Sequence, residues 1–280
     1  MVLFDCGEGT QVSLRMLGWG FKNIDIICLT HYHGDHVSGL PGLFLTMAHA
    51  ERTEPVKLIG PPGLCRVVKN LCVIAQDLPF ELVFHPIDML GGLVHEQDMI
   101  RIKALPLYHR SPCVAYSLEL LRRGKFDPEK AKALDLPLKY WGVLQKQDGD
   151  SIVYNDRTYT SDMVLGPERR GLKLVFCTDT RPVTALTDFA SGADLFICEG
   201  MYGDDGKLEK AEAYKHMTFS EAAAIAKEAG VKEMWLTHFS PSMPNPQDYL
   251  INAKSIFKKT KTGKDRMTKT LRFLDEGEAL

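Results

Sequence analysis

The chain has 280 residues, 45% of them hydrophobic and 25% charged. This is the composition of an ordinary globular protein able to bury a sizeable core. Lys and Arg number 34 against 36 Asp and Glu, a formal net charge of −2. That excludes a protein that coats nucleic acid by bulk charge and leaves room for a local basic patch.

The elements expected along the chain alternate between strand and helix, with no internal repeat. Val2 to Asp5 reads as a strand, followed by Gly7-Glu8-Gly9 and a short helix through Thr10 to Leu17. Ile24 to Thr30 is a buried strand by its apolar run, Leu40 to Ala50 a helix, and Val56 to Ile59 a strand. Gly60-Pro61-Pro62-Gly63 breaks the chain before a helix through Leu64 to Ala75. Phe80 to Phe84, Met99 to Leu107, Val114 to Leu120, Leu172 to Thr178 and Leu195 to Cys198 read as strands. Thr218-Phe219-Ser220-Glu221 is a capping box, and Gly230 stops the helix it opens. Val231 to Thr237 is the next strand, Tyr249 to Lys258 a helix and Thr270 to Leu274 a last strand. Between Arg122 and Arg170 the pattern changes. The stretch is polar, is broken by Pro128, Pro137 and Pro167, and holds Asp148-Gly149-Asp150. It contains a helix-like piece (Pro128 to Leu134) and a hairpin-like piece (Ser151 to Tyr159) but no continuous core pattern. The expectation is one domain over 1–280 with an arm-like insertion at about 122–171.

The seven cysteines form no C-x-x-C pair, and Cys28, Cys72, Cys177 and Cys198 lie in apolar runs. They read as small buried hydrophobes in a reducing compartment. No apolar run approaches the ~18 residues that span a bilayer, and Met1 to Gly7 has no basic signal-peptide region. The expectation is a cytoplasmic protein without a membrane partner.

The sharpest chemical signal is Thr30-His31-Tyr32-His33-Gly34-Asp35-His36, directly after a buried strand. Imidazoles and a carboxylate so closely spaced offer the N and O ligands that suit Zn²⁺. Adjacent residues on a turn point different ways, so His31 and His33 can face one ion while Asp35 and His36 face a neighbour. Further ligands must come from elsewhere. His109, Asp179 and His238 each follow an apolar strand-like run, and open α/β sheets place their sites at the carboxyl ends of strands. His49, His85 and His95 read as structural or solvated, with His95 in a polar loop. His216, just before the capping box, is read as a partner of Glu199 at the end of another strand. A carboxylate there orients an imidazole and supports its protonated form.

The His31-to-His36 turn resembles the H-x-H-x-D-H signature of the metallo-β-lactamase superfamily. Leu3 to Gln11, Leu29 to Gly42, Phe176 to Arg181, His216-Met217-Thr218 and Leu236 to Ser240 resemble, in order, the ribonuclease Z family of tRNA 3′-end-processing endonucleases. The resemblance implies an α/β fold, the αββα metallo-β-lactamase sandwich, here without the strand pair the family usually places before Leu3-Phe4-Asp5. It implies two Zn²⁺, with Mn²⁺ or another divalent ion as the alternative. His31, His33 and His109 would hold one ion, Asp35, His36 and His238 the other, and Asp179 would bridge. Asp35 would orient the attacking water, and His216, backed by Glu199, would act at the leaving oxygen. A tRNA precursor as partner and a homodimer are also implied. Leu136 to Gly142 partly resembles the family's Gly-Pro-rich arm tip, Met217 stands where a Ser is common, and Pro241-Ser242-Met243 where an Arg is.

RNA grip needs positive charge, which Arg122-Arg123-Gly124-Lys125 and the C-terminal Lys254, Lys258, Lys259, Lys261, Lys264, Arg266, Lys269 and Arg272 could supply. The competing readings are a superfamily hydrolase of a small phosphodiester, thioester or lactone, and a non-catalytic RNA-binding protein with a structural metal site. A flavodiiron-type redox protein would want a carboxylate where His33 stands.

Overall fold

Apolar runs bounded by Gly, Pro and polar turns set the elements in chain order. The structure, a computed structural model, describes residues 1–145 and 151–273. It contains β1 (Val2–Phe4), α1 (Thr10–Met16), β2 (Ile26–Cys28), α2 (Gly34–Val37), α3 (Leu40–His49), β3 (Val56–Gly60), α4 (Leu64–Leu71) and β4 (Leu82–Pro86). β5 (Gly92–Gln97), β6 (Ile100–Pro106), β7 (Val114–Arg122), α5 (Pro128–Ala133), α6 (Leu138–Gln145), β8 (Ser151–Tyr154), β9 (Arg157–Thr160) and β10 (Arg169–Cys177) follow. The chain continues through α7 (Thr184–Ala190), β11 (Leu195–Glu199), α8 (Leu208–Tyr214), α9 (Phe219–Glu228), β12 (Met234–Thr237), α10 (Leu250–Ile256) and β13 (Thr260–Thr262). Two compact units divide it, one of Met1–Glu119 with Lys173–Leu271 and a second built on Leu120–Leu172.

In the first unit, β1-β2-β3-β4 form a parallel sheet. A second sheet has the order β13-β12-β11-β10-β7-β6-β5, parallel from β10 to β13 and closed by the antiparallel β5–β6 hairpin. The inner parallel strands β2, β11 and β12 are apolar runs because both their faces are covered. Ile27, Leu29 and Leu58 on one face of the first sheet pack on Leu43, Phe44 and Met47 of α3 and Leu64 and Val68 of α4. Ile26, Cys28 and Ile59 on the other face meet Ile102, Ala104, Val114 and Tyr116 of the second sheet. Beyond that sheet, Val175, Cys177, Phe196 and Cys198 pack on Leu186 of α7, Ala222, Ala223 and Ala226 of α9, and Ala253 of α10. The layers therefore run helix, sheet, sheet, helix, the expected αββα sandwich. Burying each large aliphatic or aromatic side chain contributes about 1.5–3 kcal/mol. Tyr116 ties the sheets together, its hydroxyl donating to the Leu29 carbonyl at 2.8 Å. The capping box forms: Glu221 N–H donates to Thr218 Oγ1 at 3.3 Å, and Thr218 N–H to Glu221 Oε2 at 2.9 Å.

The second unit holds α5, α6 and the antiparallel β8–β9 hairpin. It has a core of its own, with Ala131, Leu136, Leu144, Ile152, Tyr159 and Val164 all buried. Sequence patterning misses this core because its members are scattered over two short helices and their connection, a hairpin and a 3-10 turn at Ser161–Val164, none long enough to show a period. Leu136 to Gly142 is largely helical rather than a loop tip, and Trp141 Nε1–H donates to the Leu136 carbonyl at 2.9 Å. Asp148-Gly149-Asp150 lies outside the described residues.

Two further expectations are corrected. The last strand is Thr260–Thr262, not 270–274: residues 270–273 are irregular and Leu274 lies outside the described residues. β13 already fills the open side of β12, through Met234–Thr260 to Leu236–Thr262, leaving no pairing position there. His95 lies on β5, not in a loop. Asp98 and Met99 turn the chain with φ of 50° and 67°, the backbone of a two-residue hairpin. Most of β5 is solvent-facing, so its sequence carries no apolar signal.

Candidate active site

The carboxyl ends of the strands share one edge of the sandwich. β2 runs through Leu29 and Thr30 into the histidine-rich turn and α2. His109 follows β6, Asp179 follows β10 by two residues, Glu199 ends β11, and His238 follows β12 directly. The structure brings all the candidate side chains together there, while His49, His85 and His95 lie on α3, β4 and β5. Ligand-capable atoms of His31, His33, His109 and Asp179 lie within 4.8 Å of one another, and those of Asp35, His36 and His238 do likewise. Asp179 stands between the two groups. Its Oδ2 is 3.5 Å from His31 Nε2 and 3.7 Å from His109 Nε2, and its Oδ1 is 3.4 Å from His36 Nε2 and 3.1 Å from His238 Nε2.

The donor set fits divalent cations on two observations. His109 Nε2 is buried and makes no hydrogen bond among the described residues. Its Nδ1–H instead donates outward to the Lys215 carbonyl at 3.1 Å, which turns the Nε2 lone pair inward. The other rings repeat this. His36 Nδ1 meets Asp5 Oδ2 at 2.8 Å and His31 Nδ1 meets Thr30 Oγ1 at 3.1 Å. Imidazole nitrogens consequently face one another, His31 Nε2 to His33 Nδ1 at 3.0 Å and His36 Nε2 to His238 Nε2 at 3.3 Å. Lone pairs so opposed repel unless a cation lies among them.

The electrostatics point the same way. Burial holds His31 down at about 3, assisted by the His36 charge. Burial opposes the charging of His36, but the Asp179 and Asp5 carboxylates prevail and push it up to about 10. Burial also works against ionised Asp179, yet His36, His238 and His31 hold its carboxyl far below the usual range. The His238 hydrogen bond lowers Asp35 in the same way. Burial lowers His109. The centre favours ionised carboxylates, neutral His31 and His109, and positive charge at His36 between Asp5 and Asp179.

Beside this cluster, His216 Nδ1 lies 3.2 Å from Glu199 Oε2 and 3.3 Å from Oε1. Glu199 is fully buried, where it also accepts the backbone N–H groups of Thr180 and Met217. Such a carboxylate fixes the orientation of the imidazole. Met217 gives its N–H to this network, and its side chain fills the core.

Sequence reasoning assigned no role to Asp5 or Arg181. Asp5 Oδ1 accepts the Thr30 N–H at 2.7 Å and its Oδ2 the Thr30 hydroxyl at 2.8 Å, besides His36. Its signal was a carboxylate one residue beyond a strand, the same pattern that marked Asp179. Arg181 donates to the His216 carbonyl at 2.6 Å and pairs with both oxygens of Glu221, binding the capping box to this edge. Of the C-terminal cations, Lys261 and Lys269 are engaged with Glu233.

Among known proteins, the profile of the family described as "Anti-Pycsar protein Apyc1" matches residues 1–110, the part that carries the histidine-rich turn and His109. The short form of human tRNase Z shares the fold at a TM-score of 0.68 and 24% identity, over 97% of this chain and 88% of that one. The metallo-β-lactamase fold protein YhfI from Bacillus subtilis shares it at 0.63 and 18% identity, over 94% and 84%. Ribonuclease Z of Lachnoclostridium phytofermentans is 52% identical over 272 residues, 97% of this chain and 88% of its own length. Ribonuclease Z of Clostridium acetobutylicum is 51% identical over 278 residues, 97% and 89%. Identity at this level over nearly the whole length, on a sandwich whose strand ends gather these side chains, places the chain in the ribonuclease Z family of the metallo-β-lactamase fold.

Proposed function

We propose that this protein is a metal-dependent endoribonuclease that removes the 3′ trailer of tRNA precursors. The observation that carries the reading is the pair of ligand groups joined at Asp179, set beside His216 and its buried partner Glu199. His31, His33 and His109 would hold one Zn²⁺, Asp35, His36 and His238 a second, with Asp179 common to both. When bound, the ions would supply an ionised water at neutral pH and positive charge for the phosphoryl oxygens.

The chain's own residues do the rest. Asp35 has the most open carboxylate of the set, its side chain 65% exposed, with Oδ2 held 3.3 Å from His36 and His238. It is placed to orient the attacking water and take its proton. His216, with Nδ1–H on Glu199, presents Nε2–H to the departing oxygen. As water oxygen bonds to phosphorus, the P–O3′ bond breaks and the proton from His216 goes to O3′. The tRNA body leaves with a 3′-hydroxyl and the trailer with a 5′-phosphate.

A cytoplasmic homodimer is the form we propose. Val12 and Met16, exposed four residues apart on α1, and exposed Trp19 just beyond it support a second copy docking there. No described helix is long and apolar enough to cross a membrane. The test is incubation of the purified protein with a trailer-bearing tRNA precursor and with bis(p-nitrophenyl) phosphate. Both should be cleaved, and Asp179→Ala should abolish both. Turnover of the small ester alone favours a small-ester hydrolase, and retained turnover with unchanged metal content in the variant removes Asp179 from the centre.

A further inference from the structure

The segments carrying His109 and His216 meet at the rim of the site, and each brings an exposed tyrosine and a cation that hydrolysis leaves unused. Tyr108 and Tyr214 are 54% and 50% exposed. Lys215 Nζ lies 4.6 Å from the centre of the Tyr108 ring, and Arg110 Cζ 4.9 Å from that of Tyr214. The two pairs cross over, one cation from each segment lying on the ring of the other. Tyr108 and Arg110 flank His109 in the chain, Tyr214 and Lys215 directly precede His216, and the two histidine rings are 5.3 Å apart. The frame is fixed. Arg110 donates to the Ala213 carbonyl at 2.9 Å, and the Tyr108 backbone is pinned to Thr180 and Arg181 by bonds of 3.0 Å each. Neither Arg110 nor Lys215 is paired with a carboxylate among the described residues.

We propose that Tyr108/Lys215 and Tyr214/Arg110 form a stacking platform for unpaired ribonucleotides on the leaving-oxygen side of the scissile phosphate. This rests on reading His216 as the donor to that oxygen. Half-open rings offer π-faces that any base can stack on, so the site tolerates sequence. A cation on a ring stays at hand for the phosphate next to the stacked base. In a chain of net charge −2, such a local pairing supplies grip on a single strand that bulk charge does not.

The experiment uses a fluorescein-labelled single-stranded RNA octamer and the full chain, with affinity read by anisotropy. Tyr108→Ala and Tyr214→Ala should each weaken binding about tenfold, and Tyr108→Phe and Tyr214→Phe should restore it, since only the ring is needed. Against the same octamer with abasic sites the difference between wild type and the Ala variants should vanish. Arg110→Gln with Lys215→Gln should flatten the salt dependence of log affinity by about 1.4. Ala variants that bind base-bearing RNA like wild type, or a penalty that persists on abasic RNA, would overturn the platform. In cleavage of a tRNA precursor, the rise in KM of the Ala variants should disappear when the nucleotide 5′ of the cut is abasic. Its disappearance with the 3′ neighbour abasic would refute the assignment to the leaving side. Tyrosine-dependent binding without any cleavage by wild type would sink the nuclease reading and leave the platform standing.

Discussion

Asp5→Asn isolates the role of a carboxylate that touches no candidate ion directly. Asp5 accepts from the Thr30 N–H at 2.7 Å, the Thr30 hydroxyl at 2.8 Å and His36 Nδ1 at 2.8 Å. Its side chain is about as covered as that of His36, 10% against 7% exposed. An asparagine keeps the shape but makes one end of the group a donor. If its oxygen stays on Thr30, its NH₂ faces His36 Nδ1–H and two donors collide. The collision is relieved when His36 moves its proton to Nε2, the nitrogen that lies 3.3 to 3.4 Å from Asp35, Asp179 and His238. That proton occupies the lone pair a metal would use. Removing the outer partner of a ligating histidine commonly lowers metal affinity 10- to 100-fold, equivalent to about 1.4–2.8 kcal/mol.

Competition against a chromogenic chelator should show this loss for one ion of the two, with the other binding as in wild type. Asp5→Ala should also lower stability, because it strands the buried Thr30 N–H at a cost of about 1–3 kcal/mol. An Asn variant that binds both ions as tightly as wild type would refute the orienting role, whatever its activity.

Three further outcomes follow from the geometry. Glu199→Gln should lower single-turnover cleavage of a tRNA precursor by about 10²–10³ at unchanged metal content, since the amide cannot serve both the His216 ring and the Thr180 and Met217 N–H groups; a loss of metal instead would move Glu199 from the proton donor to the ion site. Gly7→Ala should destabilise the fold by about 2 kcal/mol or more and weaken metal binding, because a Cβ there would sit 2.1 Å from the Asp35 carbonyl oxygen; thermal melting with and without added Zn²⁺ reads both effects. Burial opposes ionised Glu233, but Lys269, Trp235 and Lys261 hold its carboxyl at about 2. A depressed carboxylate adds stability above its unfolded value near ~4.5 and loses it as pH falls towards the folded one. Urea titrations from pH 6 to 2 should therefore show an acid loss that Glu233→Gln removes, about 1–2 kcal/mol after solvent screening.

Much of the site was legible because its residue types are rare at strand ends. An imidazole or carboxylate after one apolar run is weak evidence, but His109, Asp179 and His238 stood out together, as three such ends beside the histidine-rich turn. Asp5 follows β1 in the same manner but comes after a strand of only three residues, where a solvated residue is equally ordinary. The sheet layers were legible from the runs of β2, β11 and β12, which are covered on both faces. β5 was not, since an edge hairpin open to solvent needs no apolar period. The core of the second unit was hidden for another reason: Ala131, Leu144, Ile152 and Val164 belong to four short elements. Contacts between short elements leave no pattern within any of them. The Tyr108–Lys215 and Arg110–Tyr214 crossings join residues over a hundred positions apart and could not be read at all.

The strand ends carry one further regularity. Asp5, Asp179 and His238 have φ of 55°, 23° and 57°. Each follows a strand whose last residues are extended, and each turns abruptly into the left-handed region, which is uncommon for residues with a Cβ. Continued extension would carry the next side chain along the strand's own alternation, into the sheet or the helix layer. The left-handed turn swings it across the edge instead, where carboxylates and imidazoles from β1, β10 and β12 meet. Such conformations cost of order 1 kcal/mol each and persist only where surrounding bonds over-determine them. Those bonds are present. Asp5 N–H donates to Cys28 O at 2.9 Å, Thr178 Oγ1 to Asp179 Oδ1 at 2.6 Å, and Gly200 N–H to Thr237 O at 2.8 Å. Glycine would relax the backbone at all three positions but carries no ligand or acceptor atom. The strain therefore tracks chemistry, not folding: in metal-free protein, Asp179→Gly should cost less stability than the buried position suggests, while it removes the group common to both ligand sets. If Asp179→Gly melted well below Asp179→Asn in the presence of chelator, the turn would have to be a structural requirement of the fold instead of a device for aiming the carboxylate.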